Sequence, residues 1–211
     1  MEIFRLVFNP IQVNTYILAD TNGECAIVDC GCYDDIEFNR LVKFIENKKL
    51  TPVLLLNTHC HLDHIFGNSF VYKKYKLLTK ASKDEEFNRL SAVEHATLFG
   101  LQMEEPPEVG EFIPDNQIIK FADTSLRAIY VPGHTAGSIA FYSESDGSVF
   151  TGDALFEGSI GRSDLPGGDH ETLLESIRTR LFTLPPETLV FPGHGSETSI
   201  SREKNNNPFF K

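Results

Sequence analysis

Four apolar runs in this chain end the same way. Leu54-Leu55-Leu56 leads through Asn57 and Thr58 into His59, Ala128-Ile129-Tyr130-Val131 into His134, Val149-Phe150 into Asp153, and Leu189-Val190-Phe191 into His194. Each run has the length and side-chain type of a strand, and each is followed at once by a polar loop. A fold that accommodates them has to turn four strand ends toward ligand chemistry, because strand ends are where α/β-type folds place what they bind. The tripeptide Pro132-Gly133-His134 recurs as Pro192-Gly193-His194, as two related halves would show.

The densest of these loops is Thr58-His-Cys-His-Leu-Asp-His64, which sets three imidazoles and one carboxylate within six residues. A sharp turn there can send alternate side chains to two different metals, and His nitrogen with Asp oxygen is the donor set of catalytic zinc. Taken singly, His134 or His194 reads as an ordinary hydrogen-bonded histidine and Asp153 as a turn residue. Five of the seven histidines fall in these strand-end loops, leaving only His95 and His170 outside, and that joint placement reads as a metal centre. Cys60 lies between two ligands but should point away from the metals if alternate residues face them.

With 211 residues, 41% of them apolar and 17 of them Phe, the chain can enclose one substantial core. No low-complexity stretch or linker divides it, so one domain over residues 1–211 is expected. The formal net charge of −11 argues against a phosphate-backbone partner, which clustered Lys and Arg would serve. A metal pair can still make a positive mouth for a small anion on an acidic protein. Met1–Pro10 carries an early acid and a short apolar alternation in place of an export signal, and no apolar run reaches membrane-spanning length. The expected setting is the cytoplasm, with Cys25, Cys30, Cys32 and Cys60 reduced and with neither nucleic acid nor membrane as partner. Cys30-Gly31-Cys32 lacks thioredoxin-like spacing and reads as small buried or loop residues.

Residues 3–8, 12–19 and 25–29 read as three strands joined by turns at Asn9-Pro10 and Asn22-Gly23. Asp34 or Asp35 caps a helix running to Lys49, with Phe38, Leu41, Val42 and Ile45 on its apolar face. Val53–Leu56 has the continuous apolar character of a strand buried on both faces. A second helix is expected from Ser82 to Leu101, with Phe87, Leu90, Val93, Ala96 or Thr97, and Leu101 at helical spacing, over or beside the site. Strands follow at 118–121, 126–131, 138–142 and 148–150, then a helix over 169–182 and a last strand at 188–191. Two central sheets with helices outside are the natural packing, an α+β sandwich.

The Thr58–His64 segment, with its later partners His134, Asp153 and His194, resembles the signature of the metallo-β-lactamase superfamily, and the resemblance covers nearly the whole chain. It implies the four-layer αββα sandwich of that fold. Within the superfamily the chain looks most like glyoxalase II-type hydrolases, in the short form without a C-terminal helical domain. Thr151-Gly-Asp-Ala-Leu-Phe156, Gly161-Arg-Ser-Asp-Leu-Pro-Gly-Gly-Asp169 and the ending with Asn207-Pro208-Phe209 carry this narrower match.

The resemblance implies His59, His61 and His134 on one divalent ion, Asp63, His64 and His194 on a second, and Asp153 bridging them. Zinc is the expected metal, with iron or manganese as alternatives. Such a pair acidifies a bridging water, giving a hydroxide to attack a small thioester or ester, with Asp63 accepting a proton. Asp153 at the bridging position is unlike the Cys or Ser usual in exported β-lactamases, which sets lactam hydrolysis aside. Asp29 either orients a ligand histidine through its other ring nitrogen or is an ordinary strand-end turn residue. Arg162 either binds a substrate carboxylate or pairs with Asp164 or Asp169. Two rivals remain: a persulfide dioxygenase-like enzyme with one iron on His59, His134 and Asp153, and a non-catalytic metal-binding or sensor module.

Overall fold

The opening apolar segments fold as expected in the computed structural model, which describes residues Met1–Lys211. Strand β1 (Glu2–Phe8) runs antiparallel to β2 (Val13–Ala19), in register from Glu2↔Ala19 to Phe8↔Val13. Strand β3 (Glu24–Val28) pairs antiparallel with β2. Helix α1 (Asp35–Asn47) then crosses over to β4 (Thr51–Leu56), parallel to β3. Short helices α2 (Leu62–Ile65) and α3 (Asn68–Tyr75) precede β5 (Thr79–Ala81), and α4 (Glu86–Leu98) precedes β6 (Glu111–Phe112). The six strands form one sheet in the order β1-β2-β3-β4-β5-β6. They belong to the first of two units, Met1–Phe112 with Lys120–Thr124; the second comprises Ile113–Ile119 with Ser125–Lys211.

In the first unit, the Asp34 side chain accepts from the Glu37 N–H and caps α1, whose Phe38, Leu41, Val42 and Ile45 are buried as their spacing predicts. They pack with Phe8, Val13, Ile17, Ile27 and Leu55. Strand β4 departs from expectation. Leu55 and Leu56 are buried, but Pro52, Val53 and Leu54 are only half-buried, and the pairing with β3 slips between Cys25 and Ala26. Pro52 has no N–H to give a ladder, so the strand enters the sheet through an irregularity and is enclosed only at its C-terminal end.

Helix α4 exists where periodicity puts it, with Ala96 buried and Leu101 packed on the core as expected, but its first turns do not present Phe87 and Leu90 inward. Phe87, Leu90 and Leu98 are exposed, while Asn88, Arg89, Ala92 and Ala96 are buried, preceded by Glu85 on the same ridge. The inward ridge follows helical spacing but is polar at its N-terminal end, and apolar periodicity reads only the large side chains. Arg89 is satisfied by a fork onto Glu86 and by the carbonyl of Pro106.

Farther along the chain, β7 (Ile118–Phe121), β8 (Thr124–Tyr130), β9 (Ile139–Ser143) and β10 (Ser148–Gly152) cover the four expected strands. A hairpin of β11 (Leu155–Phe156) and β12 (Ser159–Ile160) follows. Asp169 caps α5 (His170–Ser176), which continues through Leu181 with wider π-type turns. Strand β13 (Leu189–Pro192) lies parallel to β10, and β14 (Thr198–Ser199) and α6 (Ile200–Asn206) finish the second unit. The sheet order is β14-β13-β10-β9-β8-β7. Leu173, Leu174, Ile177 and Leu181 from the helical segment pack on Ile129, Val131, Tyr142, Val149 and Val190. No helix is long and apolar enough to cross a membrane.

Candidate metal centre

The loop after β4 carries His59, His61, Asp63 and His64, the last two on the single turn of α2. His59 and His64 are buried with ring centroids 4.0 Å apart, and His61 meets His59 edge-on at 4.8 Å. His64 Nε2 lies 3.5 Å from Asp63 Oδ2.

Three buried side chains hold this loop. Asp29, at the end of β3 with φ +52°, accepts from the Thr58 N–H (2.8 Å), the Thr58 hydroxyl (2.6 Å) and His64 Nδ1 (2.9 Å). Asn9 in the β1–β2 turn donates its amide to the carbonyls of Gly31 and Asp63, each at 3.0 Å. Asn57 donates to the His64 carbonyl at 3.1 Å. Asp29 thus ends a strand in a left-handed turn and at the same time hydrogen-bonds the His64 ring.

In the second unit each candidate ligand follows a strand. His134 comes after β8, Asp153 after β10 and His194 after β13. Asp153 Oδ2 stands 3.8 Å from His134 Nε2 and 3.6 Å from His194 Nε2. Here the backbone does the holding. His134 Nδ1 donates to the carbonyl of Arg162 at 2.7 Å. Gly161 lies so close to Asp153 that a Cβ would overlap its carbonyl oxygen, and a Cβ at Gly133, where φ is +127°, would overlap the Leu173 backbone of α5.

The hydrogen bonds assign the histidine tautomers. Thr58 spends its one hydroxyl proton on Asp29, so its 3.1 Å contact with His59 requires His59 Nδ1–H to donate. His64 Nδ1 faces a carboxylate and His134 Nδ1 a carbonyl, so both also donate. In the neutral ring all three imidazoles then present the Nε2 lone pair, the state in which histidine ligates a cation. The first unit offers His59, His61, Asp63 and His64 as donors of the type that hold a metal ion, and the second offers His134, Asp153 and His194. The donor set, imidazole nitrogen with carboxylate oxygen, fits zinc or iron.

The cysteines take no part in these sets. Cys60 is buried among Leu62, Ile65, Phe66, Ala81 and Ala92, and burial pushes its thiol well above the ordinary range. Cys30 and Cys32 are buried and free, their sulfurs 3.9 Å apart, and burial likewise pushes the Cys32 thiol up. Arg162 forks onto Asp164 with two 2.8 Å hydrogen bonds that hold the Asp164 carboxyl at about 2, and its carbonyl, not its guanidinium, touches His134. Asn9, Asn57 and Glu85, which accepts from the Cys60 N–H, are hydrogen-bond partners of this loop that its sequence does not single out.

The sequence profile of the Metallo-beta-lactamase superfamily matches residues 8–194. The chain is 37% identical to the "Probable metallo-hydrolase YqgX" of Bacillus subtilis (strain 168), covering 99% of this chain and 97% of that protein. It is 36% identical to the "Hydroxyacylglutathione hydrolase GloC" of Haemophilus influenzae, covering 99% and 98%. Among solved structures, BLEG-1 B3 metallo-beta-lactamase superposes with TM-score 0.92 at 31% identity over 100% of both chains. TTHA1623 in a di-iron-bound form gives 0.88 at 32% identity over 98% of this chain and 99% of that one.

Proposed function

The chain belongs to the metallo-β-lactamase superfamily and is a metal-dependent hydrolase with that fold, and from that premise we propose that it cleaves a small thioester, as a hydroxyacylglutathione hydrolase does. The proposed ligands are His59, His61, Asp63, His64, His134, Asp153 and His194, on two divalent ions, within one functional domain spanning residues 1–211. The observation that carries this reading is Asp153, whose single oxygen faces the Nε2 atoms of both His134 and His194. A carboxylate so placed suits a bridge between two cations. The name of the Haemophilus relative supports the substrate class. Zinc is the proposed metal, and the di-iron form of TTHA1623 keeps iron as the alternative.

When bound, the ions supply a water acidified to near neutrality and a Lewis acid for the carbonyl. The chain's own part is orientation and proton handling. Asp29, directly and through Thr58, fixes the His64 and His59 rings, the Arg162 carbonyl fixes His134, and Asp63 takes up a proton at its carboxylate. Arg162 is proposed to exchange Asp164 for a carboxylate of the substrate.

The test is metal analysis of protein purified without added metal, paired with a thioester panel, a chromogenic β-lactam and an oxygen electrode supplied with persulfide. Two ions per chain with thioester cleavage, abolished in His59→Ala, is the expected result. Preference for the lactam, or one iron with persulfide-dependent oxygen uptake, would overturn it. The second of these, a mononuclear iron enzyme on His59, His134 and Asp153, draws on His194, whose side chain is 24% exposed against 3% for His134 and 0% for His64. No turnover of any substrate would favour a metal-binding or sensor module.

A further inference from the structure

Helix α4 spends its buried face on polar groups, and one of them reaches the ligand loop. Glu85 has 0% exposure. The turn that delivers it is built by Ser82, whose side chain accepts from the Asp84 N–H and whose carbonyl accepts from the Glu85 N–H. Glu85 Oε2 then accepts two hydrogen bonds, from the Cys60 N–H at 2.7 Å and from the Asn88 amide at 2.9 Å. Cys60 is the residue between His59 and His61, and its side chain is anchored in the apolar cluster with Ala92 of α4.

A carboxylate is costly to bury unless its oxygens are hydrogen-bonded, and a charge-assisted bond to a peptide N–H is short and strong. A covalent neighbour of two ligands that is held on both its peptide and its thiol has little freedom to rotate. The rotation that remains open to the loop would swing His59 and His61 relative to one another, and the Glu85 bond opposes it. We propose that Glu85 is a positioning residue for the metal centre: it fixes the Cys60 peptide from the N-terminal end of α4, and so sets the relative orientation of the His59 and His61 imidazoles. This inference rests on the metal centre proposed above.

Cobalt(II) titration of the metal-free full chain tests it, because the visible bands of cobalt report ligand geometry directly. Glu85→Leu removes the acceptor at similar bulk; the expected result is a loss of cobalt affinity of about 10- to 100-fold, as for other partners that orient ligands, together with altered band positions. Glu85→Gln keeps an oxygen for the Cys60 N–H and should restore affinity and bands nearly to those of the starting protein. Glu94→Gly weakens the same helix at an exposed position away from the Cys60 cluster, and should lower the unfolding temperature with unchanged bands. If Glu85→Leu does not fold, Glu85→Asp, which withdraws the oxygen by one methylene, takes its place with a smaller expected loss. A folded Glu85→Leu or Glu85→Asp protein with unaltered affinity and bands would overturn the proposal while leaving the metal centre standing. Absence of cobalt bands in the unsubstituted chain would instead sink the metal centre, and this inference with it.

Discussion

The four ligand-type residues of His59–His64 and the three at His134, Asp153 and His194 are held by different chemistry. The first group sits on one contiguous loop, and buried side chains reach in from three other elements to hold it: Asp29 from the end of β3, Asn9 from the β1–β2 turn, and Glu85 from the start of α4. The second group is spread over three strand ends and is held by main-chain carbonyls and close glycine contacts. A loop that carries many ligands has a floppy backbone and needs polar clamps. Ligands that each follow a strand inherit the rigidity of the sheet, and what they need is room.

Substitutions can break that contrast, beginning with the largest effect. Gly161→Ala forces a methyl into the Asp153 carbonyl and against the His134 ring; thermal unfolding should show a loss of about 3 kcal/mol, because the Asp153 backbone leaves little room to yield. If that variant proves stable, the second group does not depend on close backbone packing. Asp29→Asn should weaken metal binding by about 10- to 100-fold, measured by competition with a chromogenic chelator. An equal loss of unfolding temperature without a change in affinity would make Asp29 a turn residue only.

Asn9→Ala leaves the Gly31 and Asp63 carbonyls without their amide and should cost about 1 to 3 kcal/mol in denaturant unfolding. Arg162→Ala should have the least effect on stability, since the pair with Asp164 is exposed. Its consequence is in titration. The Asp164 carboxyl, held at about 2 by Arg162, should return toward 3.8 when followed by carboxyl NMR. Because the folded value is depressed, the pair is present above the ordinary carboxylate range and lost only as pH falls toward 2. If Arg162 binds substrate as proposed, the same variant raises KM with kcat little changed.

What was legible in the sequence follows from how local its cause is. Helix α1 could be read to its buried face because Phe38, Leu41, Val42 and Ile45 meet an apolar core, and its cap lies one residue before it. Helix α4 could be read only to its existence. Its inward residues Glu85 and Asn88 are explained by a peptide N–H 25 residues earlier, which no periodicity records. The loop ligands stood out because imidazoles crowd one short stretch, whereas Asn9 reads as turn chemistry and its reach to Asp63 spans 54 residues. Short elements such as α2, α3, β5, β6, β11, β12, β14 and α6 have too few residues to set up a period, so tertiary pairing defines them.

The exposed apolar side chains of α4 also matter at high protein concentration. Phe87, Leu90 and Leu98 stand in water at 57%, 63% and 76% exposure, with Phe99 at 66% just beyond them. Such a surface favours self-adhesion and contributes little to the folded state. Replacing those three helical residues with Glu, Lys or Gln should raise the solubility ceiling while moving the unfolding free energy by no more than about 0.5 kcal/mol per site. The same changes made at Phe38, Leu41 and Ile45 of α1 would unfold the protein.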